Sequence, residues 1–114
     1  METQIKGDKA VAAIIYKLTK AGYTISLPIT ESAEYDLVIE KEGKIERVQV
    51  KYSKREDIDL RKIHSNSKGY VIKKYSKNAF DVLAVVKPTE ECYLIRRSIE
   101  GRSYIRPKKE ELVG

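Results

Sequence analysis

Apolar residues near the start of the chain recur at helical spacing. We expect a helix that ends near residue 21, because Gly22 is suited to the left-handed conformation that commonly follows a helix C-terminus. The helix is predicted to turn one apolar stripe toward the core, formed by Val11, Ala12, Ile15 and Leu18.

Short β-branched and aromatic runs after this helix predict strands. They cover residues 23–27, 35–41, 45–52, 70–73, 80–87 and 92–96. The run 81–86 is almost continuously apolar, which is typical of a strand buried on both faces. Residues 54–66 are polar and predict at most a short helix. A helix followed by a meander and further strands predicts an α/β (α+β) fold, as a single domain over residues 1–114.

Residues 42–43, Glu-Gly, predict a two-residue hairpin turn, since glycine is favoured at the second position of such a turn. Lys41 then pairs with Lys44, and the same register places Asp36 directly opposite Gln49. Directly opposed residues share a face of the sheet, with Cβ atoms roughly 4.5–5.5 Å apart.

Lys51 lies two residues beyond Gln49 and therefore shares the face predicted for Asp36 and Gln49. A carboxylate and an amide oxygen are ligands that a hard divalent cation such as Mg²⁺ accepts, and a lysine beside them can hold a water or a phosphate oxygen. The alternative is a plain exposed hairpin face with a weak ion pair. The opposite face is apolar, as a core requires: Leu37, Ile39, Val48 and Val50.

The composition narrows the class of protein. Hydrophobic residues make up 41% of the 114, too many for a disordered chain. One Cys and one His exclude an internal disulfide and a Cys/His zinc cluster. No apolar run approaches the ~18 residues of a membrane span. Residues 1–10 have no apolar signal-peptide core, so we expect a cytoplasmic protein without a membrane partner.

The net charge of +6 lies entirely in the second half of the chain. Residues 1–57 hold ten basic and ten acidic side chains, whereas residues 58–114 hold thirteen and seven. Basic stretches interleaved with hydroxyl and amide donors suit a phosphate backbone, although a solvated lysine-rich surface would have the same composition. Residues 60–80 contain no acid and are predicted to bind DNA through six cations: Arg61, Lys62, Lys68, Lys73, Lys74 and Lys77.

The stretch Tyr35-Asp-Leu-Val-Ile39, followed by Val48-Gln-Val-Lys51, resembles the PD-(D/E)xK nuclease core in its D…QxK form. The order of the surrounding features is similar to that of the group I intron-encoded homing endonucleases of this superfamily, and more distantly to the archaeal Holliday junction resolvases. Those features are Lys6-Gly-Asp8, Ala21-Gly-Tyr23, Pro28, Phe80-Asp-Val-Leu83 and Tyr93-Leu-Ile95.

The resemblance implies a restriction-endonuclease-like domain, with the helix packed on a mixed sheet that contains the hairpin at its centre. It also implies a DNA endonuclease that depends on Mg²⁺ or Mn²⁺. Asp36 is then the central metal ligand, Lys51 the catalytic lysine, and Gln49 stands where most relatives carry an acid. The Val50 carbonyl adds a ligand, and the first-helix acid falls on Asp8, which the helical spacing places on the core-facing stripe.

Other functions remain compatible with the residues. One is a junction-specific endonuclease, and another is a DNA-binding domain of the same fold that has lost catalysis. A basic protein-binding or ribosome-associated module would leave Asp36, Gln49 and Lys51 unexplained. For an endonuclease with one small domain per active site, cutting two strands favours a homodimer or homotetramer.

Overall fold

A computed structural model describes residues 2–66, 69–74 and 79–114, with side chains for residues 5–60 and 79–114. The chain begins with helix α1 (Glu2–Lys20) and ends in a short 3-10 helix (Lys109–Glu111). The strands between them are β1 (Thr24–Ser26), β2 (Leu37–Lys41), β3 (Lys44–Tyr52), β4 (Ile58–Asp59), β5 (Arg61–Asn66), β6 (Gly69–Lys74), β7 (Val82–Val86), β8 (Cys92–Ile95) and β9 (Tyr104–Ile105).

Among the described residues, the main sheet has five strands in the order β1-β2-β3-β7-β8. Strands β3 and β7 are parallel, and the other neighbours are antiparallel, so the sheet is mixed. The α+β fold predicted from the sequence is confirmed, with the β2–β3 hairpin at the centre of the sheet. The short pairs β4–β9 and β5–β6 lie outside this sheet.

The turn between β2 and β3 has the predicted length and register. Lys41 pairs with Lys44, and the ladder continues to Leu37 opposite Val48. Residues 42–43 both have positive φ, 54° and 81°, which is the conformation that matches the twist of a hairpin. The register of β3, which carries most of the candidate site, is therefore set by this turn.

The main sheet separates two apolar clusters. On one face α1 packs against β1, β3, β7 and β8, over a cluster that buries residues such as Ile14, Leu37 and Val48. The other face of β7 and β8 is covered by β4 and β9, which bury Leu83 and Val85. All five residues of β7 are buried, as its apolar run predicts.

The buried stripe of α1 differs from the predicted one. Ala10, Ile14 and Leu18 are buried, whereas Ala12 is exposed and Val11 and Ile15 are half-buried. Residues 10–15 are all apolar and surround the helix, so the sequence alone does not identify the face that the sheet covers. The prediction that Asp8 lies on the core-facing stripe is also wrong, since Asp8 is exposed.

Residues 54–66 do not form the short helix allowed by their sequence. Bends at residues 54–57 lead into β4, and β5 follows. Strand β5 pairs with β6 in an antiparallel ladder from Arg61 opposite Lys74 to Asn66 opposite Gly69. Within the part of the chain described, no helix is long and apolar enough to cross a membrane.

Candidate active site

Asp36 lies immediately before β2, where the hairpin ladder ends. Its backbone N–H donates to the Val48 carbonyl at 2.8 Å, and Leu37 also faces Val48 in the ladder. Asp36 and Leu37 therefore both lie against Val48, as in a β-bulge. Such a bulge changes the direction in which a side chain points. The predicted rung between Asp36 and Gln49 is absent from the ladder, although the two side chains do meet.

The Asp36 carboxylate is held by two donors from β3. Oδ2 accepts the backbone N–H of Val50 at 2.7 Å and the side-chain amide of Gln49 at 2.9 Å. Both contacts are partly buried, and hydrogen bonds to an ionised group are stronger than those between neutral groups. The carboxylate is therefore fixed against the strand that carries the other candidate residues.

The resemblance assigns three groups besides Gln49 to a metal, and Gln49 contacts two of them, Asp36 and the Val50 carbonyl. Its Nε2 lies 2.9 Å from Asp36 Oδ2 and 3.4 Å from the Val50 carbonyl oxygen. A carboxylate, a carbonyl and a side-chain amide thus converge at the end of the hairpin. With its oxygen turned inward, the amide completes an all-oxygen donor set, which suits a hard divalent cation that keeps several waters.

Lys51 is on the same face as Gln49, as predicted. Gln49 pairs with Leu83 and Lys51 with Val85, and both partners belong to the cluster on the face away from α1. Val48 and Val50 pack on the α1 face, as their alternation requires. The sequence therefore predicts correctly which side chains of β3 form the core and which form the site.

The environment of Lys51 is partly apolar. Burial lowers the pKa of its ammonium group from the ordinary value of lysine, and the negative charge of Asp59 partly opposes this shift. Asp59 belongs to β4, between the buried residues Ile58 and Leu60. Sequence reasoning missed this acid, because the packing of β4 over the main sheet brings it near Lys51 without any local motif.

Asp8 is exposed on helix α1, which packs on the face of the sheet opposite to Gln49 and Lys51. Among the described residues, no group of three or more His, Cys, Asp or Glu side chains is close enough to hold a metal ion. The convergent oxygen donors are therefore those of Asp36, Gln49 and Val50.

The start of the β3–β7 pair is closed by Arg47 and Asp81. Asp81 Oδ2 accepts the Arg47 backbone N–H at 2.8 Å, and the Arg47 guanidinium contacts both carboxylate oxygens at 3.2 Å. The Asp81 N–H returns a hydrogen bond to the Arg47 carbonyl at 2.9 Å. These bonds fix the register between β3 and β7 two residues before Gln49. The Arg47 contact also lowers the pKa of Asp81.

The predicted DNA-binding cations are only partly within the described structure. Lys68 and Lys77 lie outside the described residues. Four others occupy the end of the β5–β6 ladder where β5 begins and β6 ends, and their side chains are outside the described set: Arg61, Lys62, Lys73 and Lys74. Their role in DNA binding stays a prediction.

Known proteins share both the sequence pattern and the fold. The family model described as PD-(D/E)XK endonuclease matches residues 1–111. Protein 5.3 of Escherichia phage T7 is 30% identical over 105 residues, which cover 90% of this chain and 87% of that protein. The solved structure of a bacterial homing endonuclease, I-Ssp6803I, is similar with a TM-score of 0.81 and 30% identity, over 96% of this chain and 80% of that chain.

The match over residues 1–111 includes both strands of the hairpin and the whole of the main sheet. The structural likeness covers nearly the same length, so the relationship is not confined to the short D…QxK motif. We conclude that the chain belongs to the PD-(D/E)XK endonuclease family and has its restriction-endonuclease-like fold.

Proposed function

We propose that the protein is a DNA endonuclease that hydrolyses phosphodiester bonds with the help of Mg²⁺ or Mn²⁺. The observation that carries this proposal is the convergence of the Asp36 carboxylate, the Gln49 amide and the Val50 carbonyl at the end of the hairpin, beside Lys51, whose side chain shares a face with Gln49. The similar bacterial structure is itself described as a homing endonuclease.

In this proposal Asp36, Gln49 and the Val50 carbonyl hold the divalent cation, which would supply charge neutralisation and activation of water. Lys51 donates to a phosphate oxygen and stabilises the negative charge that develops there. Its partial burial favours this role, because an electrostatic interaction is stronger where water is excluded. Asp8 would add a further carboxylate to the site.

The β5–β6 hairpin is proposed as a DNA-binding element. Arg61 is paired with Lys74 and Lys62 with Lys73 in consecutive positions of the ladder. Like charges directly opposite one another destabilise a two-stranded ladder, and a bound polyanion removes that repulsion. The concentration of cations in residues 60–80, with no acid among them, supports a phosphate backbone as the partner.

We also propose that the active species is at least a dimer. One chain contributes one candidate site, whereas cleavage of both strands of a duplex requires two. A homodimer or a homotetramer satisfies this requirement. Size measurement in solution, with and without DNA, tests this part of the proposal separately from cleavage.

The experiment that tests the function is a single-turnover cleavage assay on duplex and on branched DNA, with Mg²⁺, Mn²⁺ or EDTA. We expect strand cleavage that requires the cation and is lost on substitution of Asp36 or Lys51. Cleavage that persists at the parent rate in both variants would remove these residues from the active site. Preference for a four-way junction over a duplex would assign a junction-specific endonuclease.

A second candidate is a DNA-binding domain that no longer cleaves. The observation that favours it is the neutral Gln49 side chain at the position where the resemblance to the PD-(D/E)xK core implies an acid, since one fewer negative charge weakens the hold on a divalent cation. Strong, salt-dependent DNA binding without cleavage under any divalent cation would establish this alternative.

A further inference from the structure

The Gln49 carboxamide lies between two oxygen atoms that the proposed function assigns to a metal. Its Nε2 is 2.9 Å from Asp36 Oδ2 and 3.4 Å from the Val50 carbonyl oxygen. A primary amide nitrogen carries two N–H donors and no acceptor, so it presents positive charge to both oxygens. A divalent cation at the same place would do the same.

The metal-free site would be unfavourable without this amide. Asp36 and Gln49 are partly buried. A partly buried oxygen that loses its hydrogen-bond donor destabilises the folded protein, because it no longer has water or protein to bond to. An acid at position 49 would add repulsion, because two carboxylates at hydrogen-bond distance do not both ionise easily. A neutral amide avoids both costs, since the same side chain offers a donor in one orientation and an acceptor in the other.

We propose that Gln49 is a positioning residue that stands in for the metal: in the metal-free protein its NH₂ group holds Asp36 and the Val50 carbonyl together, and it turns about its terminal bond when a divalent cation binds. This inference rests on the proposed metal site. The Gln49 Oε1 atom then takes the place of Nε2 on the side that faces Asp36 and the Val50 carbonyl. The site is thus assembled before the cation arrives, and the cation has to displace existing hydrogen bonds.

The inference predicts opposite effects of Gln49→Glu on metal binding and on metal-free stability. Without a cation, the variant should unfold at a lower temperature than the parent, because its two carboxylates repel each other. With saturating Mg²⁺ the difference should disappear. The variant should also bind Mg²⁺ more tightly, on the order of tenfold, which corresponds to about 1.4 kcal/mol.

The direct test is an NMR titration of the uniformly ¹⁵N-labelled full chain with MgCl₂ in the absence of DNA. The sequence contains only two glutamines and two asparagines, so its side-chain NH₂ signals are few: Gln4, Gln49, Asn66 and Asn78. In the metal-free protein we expect the Gln49 NH₂ protons to exchange slowly with solvent, and to exchange faster in Asp36→Ala. On titration, their signals should shift with the same midpoint as the Val50 backbone amide, while those of Gln4 stay in place.

The outcomes separate this inference from the proposed function. If the Val50 amide responds to Mg²⁺ and the Gln49 NH₂ signals do not, the stand-in role is wrong and the metal site stands. If neither responds, both are wrong. If Gln49→Glu binds Mg²⁺ no more tightly than the parent, the stand-in role is again contradicted, and the titration of the parent decides the question even if that variant does not fold.

Discussion

The backbone N–H of Val50 donates to the Asp36 carboxylate at 2.7 Å. This bond joins the residue before β2 to Val50 near the end of β3, one position from both Gln49 and Lys51. Strand β3 is also hydrogen-bonded to β7 on its other side, and every residue of β7 is buried. The bond from Val50 therefore ties the Asp36 carboxylate to the most buried part of the sheet. The position of the acid is therefore set by the core, and changes to the acid have a structural and a chemical consequence that can be separated.

Asp36→Ala and Asp36→Asn form a pair that separates these consequences. Alanine removes the acceptor for Val50 and Gln49 and should cost about 1–3 kcal/mol of unfolding free energy. Asparagine keeps an acceptor oxygen, so most of that stability should remain, whereas both variants should lose cleavage with the carboxylate. Urea unfolding and single-turnover cleavage measure the two effects, with the exposed Glu34→Ala as control. Cleavage by Asp36→Asn at the parent rate would contradict the ligand role.

Lys51→Ala should abolish cleavage and leave DNA binding nearly intact. One phosphate contact among many is a small part of affinity, whereas a transition-state interaction in a shielded site can lower a barrier by about 3 kcal/mol, or roughly 10²-fold in rate. Lys54→Ala is the matched control, because Lys54 is exposed and follows β3 closely. Equal loss of binding by the two variants, with no selective loss of cleavage, would argue against a catalytic lysine.

Lys51→Met should be at least as stable as the parent at neutral pH. Burial lowers the pKa of Lys51, so the folded state disfavours the charge that the unfolded chain carries freely. Removing the charge while keeping the chain length removes this cost, and the variant should also lose activity. Thermal unfolding of the metal-free protein checks this, and a clear drop in stability would show that the ammonium group supports the fold.

Lys73, Lys74 and Lys77 replaced together should weaken DNA binding and flatten its dependence on salt. Each lysine–phosphate ion pair that the substitutions remove should lower the slope of log K against log salt by roughly one unit. The control replaces Lys6, Lys9 and Lys20, three exposed cations of α1. An unchanged slope in the triple-lysine variant would place the DNA surface elsewhere, with the arginines after Leu94 as the next candidates.

Glu46 should make stability depend on pH in the acid range. Its side chain is 8% exposed and accepts two hydrogen bonds from Arg96, at 2.8 and 2.9 Å, which lower its pKa from the ordinary 4.5. The folded state therefore holds the proton less strongly than the unfolded chain. The stabilisation is complete above the unfolded pKa and is lost as the pH falls through the lower folded value.

Glu46→Gln should accordingly cost about 1–3 kcal/mol at pH 7, and the cost should shrink as the pH falls below 4.5 and through the lower folded-state pKa of Glu46. The matched control is Asp57→Asn, which breaks an ion pair with Arg106 in which both side chains are mostly exposed, and should change stability little. Unfolding temperatures at pH 3 to 7 test both variants. A constant difference between parent and Glu46→Gln over that range would mean that protonation of Glu46 is not involved.

The sequence predicts the hairpin well because its information is local. A two-residue turn at residues 42–43 fixes which side chains of β3 share a face, and alternation then separates Val48 from Gln49 and Lys51. The prediction that Asp36 pairs with Gln49 is wrong by one residue, since Asp36 bonds to the Val48 carbonyl instead. A bulge at the end of a ladder has no signal in the pattern of apolar residues.

The other failures have the same physical origin. Six consecutive apolar residues in α1 leave its buried face undetermined, and only the sheet selects Ala10 and Ile14 over Ala12. Asp59 comes near Lys51 because β4 packs over the main sheet, through contacts between residues far apart in sequence. Tertiary packing decides both cases, and neither has a short-range pattern from which it can be derived.

The two faces of β3 divide folding and chemistry between alternate residues of one strand. Val48 and Val50 hold the strand against α1, while Gln49 and Lys51 contribute little apolar surface to either cluster. Substitutions at the chemical positions therefore leave the apolar core in place. Changes at these two positions can therefore alter or remove the proposed metal site and the proposed role of Lys51 while the architecture is kept, so a shared fold does not by itself imply a shared activity.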